Sequence, residues 1–280
     1  MAEITAAAVG KLREMTNAGL MDCKKALSEA SGDLDIAVEI LRKRGIAQAA
    51  KKAGRDAREG VIAQHIVPGG RSGVLVEINC ETDFVAKNDL FKAFCDDVAK
   101  AVAGGGGADL EALRVGAVAK VGENIKIARQ ERFDLNGPGL IAAYIHTGGK
   151  VGVLLEMGCT KDATPGSESF KQLVKDITLQ IAAASPTAVN RDGVPAEVVA
   201  KEREIAAQSD RLKGKPPQAM EKILQGVMDK YYQTVCLVEQ GYVKDAEKSV
   251  KQHVDTVGSQ LGDELVVRRF LRWQVGDSAA

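Results

Sequence analysis

Aromatic residues are scarce in this sequence, at 4% of 280 residues, although 45% of the chain is hydrophobic. The core therefore has to be built mainly from Ala, Val, Ile and Leu, and the chain is long enough for two domains or for one with insertions. Net charge is also missing, because 38 basic residues balance 38 acidic ones. This neutrality argues against nucleic acid as the main partner, since no overall positive field attracts phosphates.

Cysteines and histidines are few and scattered. The five cysteines lie far apart and form no C-x-x-C motif, which argues against a disulfide framework or a zinc site and favours a reducing compartment. His65, His146 and His253 show no metal-ligand spacing. The sequence has no apolar run of membrane-span length, and its start lacks the pattern of a signal peptide. We therefore expect a cytoplasmic protein without a cofactor, a metal or a membrane contact.

The segment 1–54 carries hydrophobic side chains at helical spacing in three short runs, separated by "TNAG" and "SGD". This pattern predicts a three-helix domain, in which Gly45 suits a C-terminal helix cap. A bundle of this size is marginally stable alone and has no room for a catalytic cleft, so its predicted role is docking.

Residues 60–103 resemble residues 139–182. Each position aligns without a gap to the residue 79 places later, and 16 of the 44 pairs are identical. Each copy has β-branched runs around a Gly-Gly turn, which predicts a hairpin, followed by a helical pattern. Neither Gly-Gly turn leads into Gly-Lys-Ser/Thr, so neither is a phosphate loop. Self-similarity of this kind predicts two copies of a hairpin-plus-helix unit.

The sequence after residue 182 predicts an inserted segment, followed by strands that belong to the second copy. Residues 195–210 and 217–231 have the pattern of an antiparallel helical hairpin. The segments "YYQTVCLVEQGYV" and "LVVRRFLRWQVGD" read as strands that complete the second sheet. The predicted fold is therefore α+β. Its segments are a docking domain (1–54), a first core subdomain (55–138), a second core subdomain (139–186 plus 227–280) and an inserted hairpin (187–226).

Differences between the two copies indicate positions that the shared fold does not require. The first copy reads "CETDFVAKNDLF" where the second reads "CTKDATPGSESF". Asp83 has a counterpart in Asp162, but Phe84 is replaced by Ala163. Similarly, His146 in the second copy corresponds to Val67 in the first. Phe84 and His146 are therefore candidate functional residues.

The stretch "NCETDFVAKND" resembles the signature of the elongation factor Ts family, guanine-nucleotide exchange factors of elongation factor Tu. Similar blocks occur at residues 11–55 and in "VGENIKIAR", "YIHTGGKVGVLLE", "YYQTVCLVEQGYVKD" and "VRRFLRWQVGD", so the resemblance covers nearly the whole chain. It implies a ubiquitin-associated-like three-helix domain and a complex with elongation factor Tu. It also implies a binding protein without its own chemistry.

The resemblance also implies roles for single residues. A loop that dislodges Mg²⁺ from elongation factor Tu maps onto Thr82, Asp83, Phe84 and Val85. Contacts with the GTP-binding domain map onto Arg13, Leu20, Met21 and Lys24, and a contact near the phosphate loop maps onto His146. Two departures from the family pattern limit how far these roles apply to this chain. "NAGLM" stands where the family usually has Gly-Ala-Gly-Met-Met, and the chain ends soon after "VGD", where some members continue into a further helical module.

Other interpretations stay open at the level of sequence. Phe84 could belong to the core, and Asp83 could be a helix cap. An enzyme using Asp83 and Glu77 would place both carboxylates in one pocket. Residues 42–58 hold seven basic residues and one acidic residue, which fits an RNA-binding patch or a solvated linker face. The helical hairpin could pair two copies of the complex.

Overall fold

The computed structural model describes residues 4–16, 18–105, 107, 109–209 and 216–277. Helices α1 to α10 span Ala6–Thr16, Leu20–Glu29, Leu34–Lys52, Asp83–Lys87, Asp89–Ala103, Leu110–Val121, Glu168–Ala184, Ala196–Ala207, Pro217–Val235 and Val250–Leu261. Strands β1 to β8 span Glu59–Ile66, Ser72–Cys80, Ile125–Asp134, Gly139–Ile145, Val151–Gly158, Gly241–Tyr242, Asp245–Ser249 and Val266–Gln274. The predicted α+β class, with antiparallel sheets, is confirmed. Among the described helices, none combines the length and apolarity needed to cross a bilayer.

Helices α1, α2 and α3 pack around a small core of their own, which includes Leu12, Cys23 and Leu27. The expectation that Gly45 caps the third helix is wrong, because α3 continues through it to Lys52. Gly45 is buried where α3 crosses α6, and a Cβ there would already contact Val115 at 3.5 Å. The glycine therefore serves close helix packing rather than helix termination.

Two three-stranded antiparallel sheets form the centre of the molecule. Their strand orders are β1-β2-β3 and β4-β5-β8, so in each case the second strand of the predicted hairpin is central. Helix α5 packs on the first sheet and α7 on the second. Both central strands also carry a register shift at the same repeat position, between Glu77 and Ile78 and between Glu156 and Met157.

The repeated unit is longer than the sequence comparison predicts. Helix α6 and strand β3 complete the first copy, as α10 and β8 complete the second, although α6 begins at Leu110 and α10 only at Val250. Both helices end at a left-handed glycine, Gly122 and Gly262. The second copy contains an insertion between α7 and α10, which comprises α8, α9, β6 and β7. This insertion increases the sequence separation between equivalent residues of the two copies, so a gap-free comparison of the sequence does not detect the match of α6 with α10 or of β3 with β8.

One of the two predicted returning strands is a helix. Helix α9 continues to Val235, and β6 pairs with β7 in a separate two-stranded sheet. Aromatic residues favour strands locally, but Tyr231 and Tyr232 continue the helical face that starts with Leu224 and pack against the buried Cys236. The other segment forms β8 and joins β5 as predicted. Residues 210–215, including the predicted tip of the hairpin, lie outside the described residues.

The two sheets pack against each other through an apolar layer that contains Ile62, Leu75, Phe133, Ile141 and Leu154. A Cβ at Gly73 would lie 2.9 Å from Ile141 Cγ2, and a Cβ at Gly152 would lie 2.5 Å from Ile62 Cγ2. These two glycines occupy equivalent repeat positions, so each sheet has a gap in its central strand that receives a side chain from the other.

A buried glutamate pairs with a partly exposed arginine at equivalent positions in each sheet. Arg129 Nε donates to Glu77 Oε2 at 2.8 Å, and Arg269 Nε donates to Glu156 Oε2 at 2.7 Å. Both glutamates are nearly inaccessible to solvent. Each arginine also stacks over an aromatic ring of the opposite sheet, Trp273 for Arg129 and Phe133 for Arg269.

The same pairs form hydrogen bonds between the two sheets. Arg129 Nη2 donates to the carbonyl of Gln274, and Arg269 Nη2 donates to the carbonyl of Asp134, both at 3.1 Å. The backbone N–H of Gly276 donates to Glu77 Oε1 at 3.0 Å. Each glutamate and arginine therefore neutralise each other within one sheet, and their remaining hydrogen bonds bind the backbone at the end of the other sheet.

We predict that Glu156→Gln lowers the free energy of unfolding by about 2 kcal/mol at pH 7, because a buried carboxylate loses its charge-assisted hydrogen bonds with the partly exposed Arg268 and Arg269. Burial opposes ionisation of Glu156, but hydrogen bonds from Arg269 and Arg268 outweigh it, and its pKa lies below the usual value. The ionised carboxylate therefore stabilises the fold above the unfolded-state pKa, and this contribution disappears as the pH falls through the folded-state pKa. Urea denaturation at a series of pH values should show the difference from wild type shrinking in acid.

The matched control is Glu168→Gln, which changes an exposed glutamate on α7 that pairs with Lys171. Its expected effect is below about 0.5 kcal/mol at any pH, because solvent screens exposed ion pairs. A deficit in Glu156→Gln that stays constant from neutral to acid pH would contradict the assigned role of the carboxylate.

Candidate functional site

The candidate loop forms the corner between β2 and α5, and most of it is the five-residue helix α4. The side chain of Thr82 caps this helix by accepting a hydrogen bond from the Val85 N–H at 3.3 Å. Val85 packs against the core of the first sheet, and Ala86 is buried there. Phe84 points the other way and is 81% exposed. The interpretation of Phe84 as a core residue is therefore wrong.

The four candidate residues of this corner thus have different roles. Thr82 and Val85 attach the corner to the core, whereas Phe84 and Asp83 face outward. Asp83 is not the helix cap, since that position belongs to Thr82. It accepts a hydrogen bond from Lys87 Nζ at 2.7 Å, and this bond holds the pKa of the carboxyl below its usual value. The sequence analysis did not select Lys87, although its i,i+4 spacing to Asp83 predicts an ion pair on a helix.

An active site built from Asp83 and Glu77 finds no support in this geometry. The Glu77 carboxylate is buried between the sheets with Arg129, whereas Asp83 is paired with Lys87 at the surface. The two carboxylates therefore belong to separate networks and do not share a pocket. Among the described residues, no group of three or more His, Cys, Asp or Glu side chains is placed to hold a metal ion.

His146 lies at the turn between β4 and β5 and is exposed. Its Nδ1 atom is 3.2 Å from the hydroxyl of Tyr144, which orients the ring. In the same turn, Lys150 Nζ donates to Glu59 Oε2 at 2.5 Å, and Glu59 pairs with Cys80 at the end of β2. This contact brings the turn of the second sheet to the edge that carries the Phe84 corner, and the charge of Lys150 also lowers the pKa of Asp83.

The four candidate residues of the three-helix region lie on α1 and α2, on either side of their connection. Arg13 and Lys24 are exposed, as are Leu20 at 55% and Met21 at 60%. Met15 adds a third exposed hydrophobic side chain, which the sequence analysis did not select. Exposed methionine and leucine side chains in one place are typical of an adaptable contact surface.

The basic segment 42–58 is partly neutralised by ion pairs. Lys43 pairs with Glu39, Arg44 with Glu29, Arg55 with Glu81 and Arg58 with Asp56. Because four of its seven cations have a carboxylate partner, the segment offers less free positive charge to a phosphate backbone than its sequence indicates.

Comparison with known proteins identifies the family. The family model described as Elongation factor TS matches residues 81–277, a range that begins at the Phe84 corner. Similar curated proteins include Elongation factor Ts of Trichlorobacter lovleyi, with 44% identity over 98% of this chain and 93% of the relative. Elongation factor Ts of Symbiobacterium thermophilum is 45% identical over 99% of this chain and 93% of the relative.

The chain belongs to the elongation factor Ts family. A further relative, Elongation factor Ts of Nitratidesulfovibrio vulgaris, is 40% identical and aligns with 99% of this chain and 97% of its own length. These alignments cover nearly the whole chain and therefore include the positions of Arg13, Leu20, Met21 and Lys24 in the three-helix region.

We predict that Phe84→Ala changes the free energy of unfolding by less than about 0.5 kcal/mol, because the ring is largely in solvent. Val85→Ala, one residue later, should cost about 1 kcal/mol, since it removes methyl groups from the packed side of the corner. Urea denaturation of both variants checks the difference. A loss in Phe84→Ala above about 2 kcal/mol, the range of buried-side-chain truncations, would mean that the ring is packed in the folded protein.

Proposed function

We propose that this chain is a guanine-nucleotide exchange factor that binds elongation factor Tu in the cytoplasm and promotes the release of GDP. The observation that carries this proposal is the exposure of Phe84 on an anchored corner, in a protein with few aromatic residues. The equivalent corner of the second repeat has Ala163 instead, so the scaffold folds without the ring. A large aromatic side chain held outward on a fixed backbone is suited to entering a partner.

The proposed mechanism follows from the way a translational GTPase holds GDP. Backbone amides of its phosphate loop and a Mg²⁺ ion bind the phosphates. An exchange factor weakens this hold by stabilising a distorted state of the GTPase, and the coupling is reciprocal. We propose that Thr82, Asp83, Phe84 and Val85 form the element that displaces the partner's Mg²⁺. Phe84 acts as the wedge, and the charges of Asp83 and Lys87 face the groups around the ion.

The size of the expected effect follows from the area of one ring. Complete burial of a Phe side chain is worth roughly 1.5–3 kcal/mol. Because a factor of ten corresponds to about 1.4 kcal/mol, Phe84 supplies about one to two powers of ten in nucleotide release. The remaining binding energy has to come from other contacts.

We assign these further contacts to two exposed surfaces. His146, in the β4–β5 turn, lies at the same edge of the molecule as the Phe84 corner, which fits a contact near the phosphate loop. Arg13, Leu20, Met21 and Lys24 supply a separate docking surface on α1 and α2. Pairing of two copies through the hairpin of α8 and α9 also stays a proposal, supported by the exposed side chains of Val198, Ile205 and Met220.

We predict that Phe84→Ala lowers the maximal rate of GDP release from elongation factor Tu by ten- to one-hundredfold. Stopped-flow release of fluorescent GDP measures this rate over a range of factor concentrations. The control is Val243→Ala, which trims another exposed hydrophobic side chain, in the β6–β7 turn, and should release GDP at the wild-type rate.

Two results would contradict the proposal. A Phe84→Ala variant that releases GDP and binds the partner like wild type would show that Phe84 does not act as a wedge. A wild-type protein that leaves GDP release unchanged, yet binds RNA with steep salt dependence, would favour the basic segment 42–58 as the functional surface.

A further inference from the structure

The base of the Phe84 corner is held by a residue from the loop between α6 and β3. The backbone N–H groups of Glu81 and Thr82 both donate to Glu123 Oε2 at 3.0 Å, and the Thr82 hydroxyl donates to Glu123 Oε1 at 2.7 Å. Glu123 directly follows Gly122, the left-handed cap of α6, so its position is fixed by the end of that helix. Both of its carboxylate oxygens are used.

A second bond attaches the corner to the same loop. Glu81 Oε1 accepts a hydrogen bond from the Asn124 N–H at 2.6 Å, and the Asn124 side chain donates to the carbonyl of Arg55 at 2.8 Å. The corner, the α6–β3 loop and the segment after α3 therefore form one hydrogen-bonded unit. The thiol of Cys80 contributes from below by donating to the Thr82 carbonyl at 3.2 Å.

The hydrogen bonds that the Glu123 carboxylate accepts from the corner form a carboxylate clamp. The second repeat contains an equivalent clamp, but its corner has no phenylalanine. Asp263, which follows Gly262, accepts from the Thr160 N–H at 3.0 Å and from the Lys161 N–H at 3.2 Å, and the hydroxyls of Thr160 and Thr164 also donate to it. Glu123 and Asp263 occupy equivalent places, each directly after the glycine that ends α6 or α10. The chain thus offers two similar clamps, of which one holds a functional element.

The direction of the Phe84 ring depends on this clamp. A five-residue helix has no stability of its own, so the orientation of α4 is set by the packing of Val85 and Ala86 and by the hydrogen bonds at its base. Thr82 connects both functions, because it caps α4 through Val85 and binds Glu123 through the same hydroxyl. Loss of the carboxylate would leave the N–H groups of Glu81 and Thr82 without their acceptor and free the base of α4.

We propose that Glu123 is a positioning residue for nucleotide exchange, acting through Phe84 by holding the base of α4. This inference rests on the proposed function. It assigns to Glu123 an effect on the rate of GDP release, and no such effect to Asp263.

The test compares Glu123→Ala with Asp263→Ala in stopped-flow GDP release from elongation factor Tu. Alanine removes the acceptor oxygens, so Glu123→Ala should lower the maximal release rate about tenfold and change the half-saturating concentration less than threefold, since the α1–α2 surface still docks. Asp263→Ala should release GDP at the wild-type rate even where its melting temperature falls. In the double variant, Glu123→Ala should slow Phe84→Ala by less than twofold, because both changes disable one element.

Amide hydrogen exchange supplies the structural readout. The amides of Glu81 and Thr82 should lose protection in Glu123→Ala, whereas the core strand β2 keeps its protection. If Glu123→Ala is not recovered folded, Glu123→Asp serves in the same comparison, because its shorter side chain keeps the charge but cannot reach all three donors.

A wild-type release rate in a Glu123 variant whose corner amides have lost protection would overturn the positioning role and leave the wedge intact. An equal loss of rate in Asp263→Ala, or fully additive effects of Glu123→Ala and Phe84→Ala, would also overturn it. A Phe84→Ala variant with wild-type rate would overturn the wedge and the positioning role together.

Discussion

The buried glutamate in the central strand of each sheet, paired with an arginine, is the constraint on which the rest of the structure depends. A buried carboxylate is tolerated when a charge and further hydrogen bonds compensate it. Here Glu77 and Glu156 each receive an arginine from their own sheet and a backbone N–H from the end of the other sheet. The two sheets therefore hold each other in a reciprocal arrangement, which an apolar layer alone would not orient so specifically.

This arrangement decides which surface elements come together. Because the sheets are fixed relative to each other, the turn that carries His146 lies beside the start of β1 and close to the Phe84 corner. The two repeats therefore contribute different elements to one edge: the first repeat supplies an aromatic corner and the second supplies a turn with a histidine. The copies differ in such surface residues, while the shared scaffold stays unchanged.

Within the corner, anchoring and exposure fall on neighbouring residues. Thr82, Val85 and Ala86 connect the backbone to the core and to Glu123, while Phe84 stays exposed to solvent. This division explains how an exposed ring can be held in a defined direction, because the residues around it carry the packing and the hydrogen bonds.

Local patterns in the sequence determined the α+β class, the two hairpins and the choice of Phe84, because helical and strand periodicity and a gap-free repeat are visible over short distances. Tertiary structure decided what depends on distant contacts. Gly45 lies inside α3 and packs closely against α6, and β3 and β8 pair with central strands from which other elements separate them in the sequence. The outward direction of Phe84 likewise follows from Val85 packing inward and from the bonds of Glu123, and neither can be read from the order of residues alone.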